Sequence, residues 1–112
     1  MYVIYIPTDA PPEQREIEPT LPVLQHLVRG NLEELHLDIG GIEAWAYIDE
    51  EGKFKNRCLD NPVATELYRH DRIVGPMVVV GPPDSQGSET DAPREAFSRI
   101  MRLHDELVGR SL

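Results

Sequence analysis

The sequence has few of the features that mark exported, membrane or disulfide-bonded proteins. Its single cysteine, Cys58, cannot form an internal disulfide, so the fold must rest on packing and the chain suits a reducing compartment. The apolar start of the chain has no basic region, and no apolar run approaches the roughly 20 residues of a membrane span. We therefore expect a cytoplasmic protein that is neither exported nor inserted into a membrane.

Basic residues are also scarce, with 11 Lys and Arg against 20 Asp and Glu and a net charge of -9. Such a chain is repelled by the phosphate backbone, so we expect no direct binding of nucleic acid. The imbalance is concentrated in residues 1–56, which carry 4 basic and 11 acidic side chains. A basic partner should therefore meet the N-terminal half of the chain.

Recognisable catalytic and ligand-binding motifs are missing as well. The four histidines form no helical pair, and no Cys-x-x-Cys occurs, so a metal site has no local support. Neither type of glycine-rich phosphate loop is present, and Cys58 lacks a neighbouring histidine, which suits a small core residue better than a nucleophile. We expect no catalytic residue, no metal and no cofactor.

The 112 residues suffice for one domain, and their pattern predicts an α+β fold. We expect a mainly antiparallel sheet of four to five strands, with two to three helices packed largely on one side. Strands are predicted over residues 1–6, 32–38, 42–48 and 73–80, with a further short strand near 15–18. A helix over 21–29 ends at Gly30, a second begins at Asn61-Pro62, and a third is predicted over 92–108 with Asp91 as its cap. The residues at 81–91 are predicted to form a mobile linker.

The stretch from residue 34 to 48 alternates between apolar and polar side chains on either side of Gly40-Gly41. This pattern predicts a β-hairpin, because glycine readily adopts the positive φ values of a two-residue turn. With that turn Ile39 faces Ile42, and the aliphatic residues gather on one side. The polar side then pairs Asp38 with Glu43, His36 with Trp45, and Glu34 with Tyr47.

The polar side of the hairpin is the candidate functional surface. Trp45 and Tyr47 are large amphipathic residues that lie beside acidic side chains, a combination that suits a cationic or aromatic partner. The predicted binding residues are Glu34, His36, Asp38, Glu43, Trp45, Tyr47, Glu50 and Glu51. A second interpretation stays open, in which another packed layer covers the aromatic residues.

Four segments, taken in order, resemble a known family. They are Leu-Val-Arg-Gly at 27–30, Tyr-Ile-Asp-Glu-Glu-Gly-Lys at 47–53, Asn-Pro-Val-Ala-Thr at 61–65 and Ile-Val-Gly-Pro-Met-Val-Val-Val-Gly at 73–81. Their order and spacing resemble a family of small proteins of unknown function from phages, plasmids and actinobacterial genomes, over residues 17–81. Arg29 stands where this family is expected to have a small residue. The resemblance implies a cytoplasmic protein of a mobile element or its host, and it transfers no catalytic residue.

These observations favour a non-enzymatic interaction or ligand-binding protein, an accessory factor of a mobile element that acts on a host or defence component. In one version the chain is an acidic mimic of nucleic acid. Its phosphate substitutes are then Glu33, Glu34, Asp38, Glu43, Asp49, Glu50 and Glu51. In another version it sequesters a small molecule in a pocket near Trp45 at the interface of a homodimer, which the two-sided apolar strands favour.

The alternative class is an enzyme. A small carboxylate-dependent hydrolase needs a carboxylate that acts as a general base within hydrogen-bond reach of its substrate. The candidates are Asp49, Glu50 and Asp60. Carboxylates in so acidic a chain are mostly solvated, and the missing motifs make this class the weaker alternative.

Overall fold

A computed structural model describes residues 1–55 and 59–110 of the chain, so Cys58 and its expected place in the core lie outside the described residues. The described part has an α+β fold, as predicted, with a five-stranded sheet. The strands are β1 (Tyr2–Ile6), β2 (Glu13–Glu16), β3 (Leu32–Ile39), β4 (Ile42–Asp49) and β5 (Met77–Val80). The helices are α1 (Leu21–Val28), α2 (Pro62–Tyr68) and α3 (Ala96–Arg110), and a 3₁₀ turn covers Gly52–Phe54.

The sheet has the strand order β2-β1-β5-β4-β3, and each neighbouring pair is antiparallel. β5 is therefore the central strand, and it joins the β1–β2 pair to the β3–β4 pair. Every residue of β1 and of β5 is buried, because both faces of these strands are covered. The apolar side chains on both faces of residues 1–6 correctly predicted this interior position.

The β3–β4 hairpin has the register that the alternation predicts. From the turn outward the pairs include Ile39 with Ile42, Asp38 with Glu43, His36 with Trp45, and Glu34 with Tyr47. Gly40 and Gly41 have φ values of 61° and 90°, which a two-residue turn of this kind requires. Arg99 of α3 donates hydrogen bonds to the carbonyl oxygens of Ile39 and Gly40, so the turn is fastened to the last helix.

Two helices, α2 and α3, pack on the face of the sheet that carries the aliphatic side of the hairpin, and we call this the closed face. Its largest fully buried side chains are Ile4, Ile6, Met77 and Ile100. α1 packs on the opposite face, which we call the open face, against Val3, Tyr5, Val78 and Val80. The prediction of helices largely on one side is confirmed, because two of the three described α-helices share the closed face.

Asn61 is a polar side chain buried beneath α2, with 1 % of its surface exposed. Its amide nitrogen donates to the carbonyl oxygens of Ile6 and Gly75, both at 3.0 Å. Its side-chain oxygen accepts the N–H of Ala64 at 3.1 Å, which is the predicted N-cap of the helix. One side chain therefore ties β1, the segment before β5 and α2 together.

α1 and α2 each end at an arginine in the left-handed conformation. Arg29 has a φ of 66° and Arg69 a φ of 65°. The sequence placed the end of α1 at Gly30, but Arg29 is the left-handed residue that terminates the helix. Gly30 has a different role, because a Cβ at this position would lie 2.3 Å from Oδ1 of Asp49. The missing side chain leaves space for that buried carboxylate.

Two elements near β5 differ from the sequence prediction. The strand predicted over residues 73–80 forms its ladder only from Met77, because Gly75 has a φ of 89° and Pro76 has no N–H to donate. The helix predicted over 92–108 runs from Ala96 to Arg110. Asp91 does not cap it: its carboxylate accepts the N–H of Tyr2 at 2.9 Å and fastens this segment to the start of β1.

The segment at 81–91 closes on itself through hydrogen bonds. The N–H of Gly81 donates to the carbonyl oxygen of Thr90 at 3.1 Å. The carboxylate of Asp84 accepts the N–H groups of Gln86 and Ser88, both at 2.9 Å. These bonds shape a loop that borders β4, and the mobility predicted for it stays a prediction.

Candidate functional site

The hairpin side chains that point away from the closed face form an acidic and aromatic surface, which we call the hairpin face. Cross-strand partners in an antiparallel pair lie on the same face of a sheet, so the register of the hairpin brings these residues together. They are Glu34, His36 and Asp38 on β3 and Glu43, Trp45 and Tyr47 on β4. Six of the eight predicted binding residues are therefore neighbours.

His36 and Trp45 stack across the two strands. Their ring centroids are 4.1 Å apart and their planes are inclined by 20°. Nε2 of His36 also lies 3.7 Å from the carboxylate of Glu34, so the two groups attract when the imidazole is protonated. The His36 side chain is 67 % exposed, which leaves the stack accessible from solvent.

A cleft of about 170 Å³ opens beside Trp45 and Tyr47, and we call it the hairpin cleft. Glu34 from β3 and Glu89 from the 81–91 loop border it together with the two aromatic rings. The other lining residues are Val80, Gly81, Pro83 and Gly87, so the described lining contains no Lys or Arg. Carboxylates next to the faces of aromatic rings create a negative potential that attracts a cationic group.

Glu89 is the member of this site that the sequence did not predict. The hydroxyl of Tyr47 donates to its carboxylate at 2.9 Å, across 42 positions of the chain. Burial, followed by this hydrogen bond, raises the pKa of Tyr47 well above its ordinary value. No local pattern marks Glu89, because the contact depends on how the loop folds back over β4.

Asp38 and Glu43 form the outer end of the hairpin face. They are cross-strand partners of like charge, and both are exposed. The carboxylate of Asp38 accepts the N–H of Gly41 at 2.7 Å, which stabilises the turn. The pair extends the negative surface from the hairpin cleft to the tip of the hairpin.

The remaining two predicted residues, Glu50 and Glu51, lie outside the hairpin face. Glu50 lines a different cleft of about 280 Å³, which also contains Leu35 from the closed face and Tyr68 from α2. Glu51 is exposed in the turn after β4. The acidic run at 49–51 suggested one continuous surface, but the chain turns away from the hairpin face at the end of β4.

The two interpretations of Trp45 are both partly met. α1 covers the centre of the open face with Leu24, Leu27 and Val28, and this is the second packed layer that was expected. Trp45 and Tyr47 lie at the rim of that layer and are half-buried. Part of the Trp45 side chain is exposed, so the second layer does not bury it completely, and binding at these residues stays a prediction.

The three carboxylates proposed for a hydrolase do not converge on one point of the structure. Both oxygens of Asp49 are engaged, since Oδ1 accepts the N–H of Glu51 at 3.0 Å and Oδ2 pairs with Lys55. The Asp60 side chain is 65 % exposed and lies 3.6 Å from Arg72. A general base needs a free oxygen that faces its substrate, and Asp49 offers none.

Another cleft, of about 520 Å³, lies away from the hairpin face. It is an open groove between the β1–β2 loop, the start of α2 and the end of α3. Asn61 lies in its wall, but the described hydrogen bonds already occupy both the amide nitrogen and the oxygen of this side chain. The buried amide of Asn61 is therefore already paired and does not serve to orient a ligand in this groove.

Residues 1–55 and 59–110 contain no group of three or more His, Cys, Asp or Glu side chains that could hold a metal ion. Within the same ranges, none of the helices combines the length and the apolar character needed to cross a membrane.

Comparison with known proteins gives a family but no activity. The model of a family described as a domain of unknown function (DUF3846) matches residues 1–105. The match covers the sheet, α1, α2 and most of α3, and it extends beyond the segments whose motifs resemble a known family. No curated protein and no solved structure matches the chain.

Proposed function

The chain belongs to this family of domains of unknown function, and we propose that it is a non-enzymatic binding protein that recognises a basic segment of a partner protein through its hairpin face. The hairpin cleft carries the proposal. Glu34 and Glu89 flank Trp45 and Tyr47 there, and no described lining residue neutralises the two carboxylates. Such a cleft suits the cationic end of a Lys or Arg side chain.

The size of the hairpin cleft favours a side chain over a metabolite. Pockets for drug-sized ligands have volumes of about 300–1000 Å³, and the hairpin cleft has about 170 Å³. One long side chain fits this volume, whereas a nucleotide does not. The version in which a small molecule is sequestered near Trp45 is therefore the weaker one.

The charge around the cleft favours a basic partner. Residues 31–51 contain seven acidic side chains and no Lys or Arg, in a chain with a net charge of -9. A one-signed surface of this kind accelerates the approach of an oppositely charged partner and fixes its orientation. The nucleic-acid mimic is a weaker version, because Asp49 is 4 % exposed and Glu50 lies outside the hairpin face, so the acidic residues do not form one continuous row.

The resemblance to phage, plasmid and actinobacterial proteins supports the biological setting of the proposal. We place the protein in the cytoplasm as an accessory factor of a mobile element, and we place its partner among the host or defence components that such an element meets. A basic surface segment is common in proteins that act on nucleic acids, which makes them suitable partners.

The test is binding of a fluorescently labelled eight-residue peptide in which Lys and Arg alternate with Thr and Val. We expect fluorescence anisotropy to report binding that weakens as salt rises from about 0.05 M to about 0.5 M. The double variant Glu34→Gln, Glu89→Gln should bind about tenfold more weakly. A peptide with Glu in place of Lys and Arg should not bind.

The matched control is the double variant Glu66→Gln, Glu106→Gln. It changes the net charge by the same amount, but its residues are exposed positions on α2 and α3, the helices of the closed face. If both double variants weaken binding equally, the effect is one of net charge, and the site at the hairpin cleft is contradicted. If the basic peptide fails to bind at low salt, the proposal itself is contradicted.

A further inference from the structure

In the sheet formed by residues 1–55 and 59–110, β3 lies at an edge and pairs on one side only, with β4. It has eight residues, whereas β2 at the opposite edge has four. A long edge strand presents a row of backbone N–H and C=O groups to any extended chain that approaches it. Of the two edge strands of the described sheet, β3 is therefore the longer one to which an added strand can pair.

Hydrogen bonding in the hairpin determines which groups of β3 point outward. In an antiparallel pair, residues that exchange bonds alternate with residues that do not. The N–H of Glu50 donates to the carbonyl oxygen of Asn31 at 3.0 Å, so the odd-numbered residues of β3 face β4. The residues whose N–H and C=O groups face the free edge are Leu32, Glu34, His36 and Asp38.

The outward backbone groups are available for pairing. No hydrogen bond joins them to another described residue of the chain. The side chains of Glu34, His36 and Asp38 lie on the hairpin face, so the residues that offer backbone bonds also offer the charged and aromatic surface. Backbone pairing and side-chain recognition are thus available to the same incoming segment.

The charge of β3 argues against a second copy of this chain as the partner that pairs with its free edge. Pairing of β3 with another β3 brings Glu33, Glu34 and Asp38 against the same three carboxylates. Like charges on adjacent strands are destabilising. The side chains of Glu33 and Glu34 point to opposite faces of the sheet, so the repulsion acts on both faces of the extended sheet. The same charges attract a strand that carries Lys and Arg.

We propose that the basic segment binds as an added strand, antiparallel to β3, and extends the sheet to six strands. This inference rests on the proposed function and specifies how the partner segment binds. Backbone hydrogen bonds to Glu34, His36 and Asp38 set the register, and pockets for alternate side chains give the specificity, as in other cases of strand addition.

The geometry places alternate side chains of the added strand over the hairpin face. Residues directly opposite Glu34 and His36 share their side of the sheet. Adjacent strands are about 4.8 Å apart, so an extended Lys or Arg can reach past β3 toward Trp45 on β4. The segment that fits best has basic residues at every second position, with β-branched residues between them.

The test compares three forms of the basic peptide. In one, the backbone nitrogens of two Lys or Arg residues are methylated; in the second, those of two Thr or Val residues are methylated; the third is unmodified. In an antiparallel addition, the residues whose side chains lie on the hairpin face direct their N–H groups to β3. Methylation at Lys and Arg should therefore weaken binding at least about tenfold, while methylation at Thr and Val should leave it within about threefold.

Two variants of the protein test the same backbone hydrogen bonds by changing β3 instead of the peptide. His36→Pro and His36→Ala both remove the imidazole, but only His36→Pro also removes the outward N–H. Proline is tolerated on edge strands where the N–H faces solvent, and circular dichroism will report whether the sheet is retained. We expect His36→Pro to bind the unmodified peptide more weakly than His36→Ala.

The outcomes separate this inference from the proposed function. If the unmodified peptide binds and both methylated forms bind equally well, strand addition is overturned and the basic partner is retained. If the unmodified peptide does not bind, the proposed function fails. If sedimentation shows a dimer of the free chain that His36→Pro dissociates and the peptide does not, the edge is occupied by a second copy and strand addition by a basic segment is overturned.

Discussion

The two faces of the sheet are covered unequally. On the closed face, α2 and α3 seal a cluster in which Ile4, Ile6 and Ile100 have no exposed surface. On the open face, α1 covers the centre, and Trp45 and Tyr47 remain half-buried at the rim. The closed face contains most of the buried apolar side chains of the domain, whereas the rim of the open face stays partly exposed.

The length of α1 explains why the cover stops where it does. Eight helical residues extend for about 12 Å, whereas five strands at about 4.8 Å spacing form a sheet about 20 Å wide. α1 contacts β5, β4 and the start of β3 near Leu32, and the side chains of Val3, Tyr5, Val78 and Val80 are buried in the same cluster. A short helix on a wide sheet therefore leaves an uncovered margin, and the hairpin face occupies that margin.

The largest expected effect is the loss of a side chain from the closed face. Ile100→Ala should lower the free energy of unfolding by about 4 kcal/mol, because it removes apolar contacts and leaves a cavity between α3 and the sheet. Urea denaturation measures the change. Val108→Ala on the same helix is the control, since Val108 is 48 % exposed and should cost less than about 1 kcal/mol. Equal losses would show that α3 does not seal this face.

Removal of the buried amide should be nearly as costly. Asn61→Ala leaves the carbonyl oxygens of Ile6 and Gly75 and the N–H of Ala64 without their partner. We expect a loss of about 3 kcal/mol in the free energy of unfolding. Asn31→Ala at an exposed position is the matched control and should change stability by less than about 0.5 kcal/mol. Similar values for both variants would contradict the role of Asn61 as a link between β1 and α2.

A larger side chain on the open face should matter less than Ile100. Trp45→Ala removes more atoms than Ile100→Ala, but the indole is already half in contact with water. We expect a loss of about 2 kcal/mol, measured by the same urea titration. A loss that exceeds that of Ile100→Ala would mean that the open face is sealed as tightly as the closed one.

Tyr47 gives the open face a pH dependence of its own. Burial raises its pKa above the ordinary value of 10.0, so the folded chain keeps the phenolic proton to a higher pH than the unfolded chain does. The stability from this difference is complete below pH 10 and falls as the pH rises further. Burial also raises the pKa of Tyr2, so absorbance near 295 nm should show late-titrating phenols in the wild-type protein, and Tyr47→Phe should reduce their amplitude without abolishing it. Glu89→Gln should make the phenol of Tyr47 titrate earlier, and an unchanged midpoint would contradict the contact.

The smallest expected effect is a gain in stability at the end of α1. Arg29 has a positive φ, which costs a side-chain-bearing residue free energy that glycine avoids. Arg29→Gly should raise the free energy of unfolding by about 0.5 kcal/mol, and Arg69→Gly should do the same for α2. A loss of stability in Arg29→Gly would show that the contacts of the arginine side chain stabilise the fold by more than glycine gains at the positive φ.

Features that depend on neighbouring residues could be predicted from the sequence. The register of the hairpin follows from the alternation around Gly40-Gly41, since a one-residue slip would move every aliphatic side chain to the other side. The cap at Asn61 follows from the preference for an asparagine before a proline at a helix start. These predictions are confirmed because the physical cause lies within a few residues.

Features that depend on distant contacts could not be predicted. Glu89 enters the site through a loop that returns to β4, and Asp91 bonds to Tyr2 instead of capping α3. Glu50 left the predicted surface because the chain changes direction after Asp49, which is held by Lys55. Periodicity describes which side of an element is apolar, but it carries no information about which distant loop meets that element.

The central position of β5 also has a consequence for a chain that is still being translated. The strand pairs β1–β2 and β3–β4 precede β5 in the chain, yet in the described sheet the four residues of β5 lie between them and join them. A nascent chain that has not reached Met77 holds two separate strand pairs, each with an apolar flank exposed. Exposed apolar surface of this kind is what makes incomplete chains prone to aggregation.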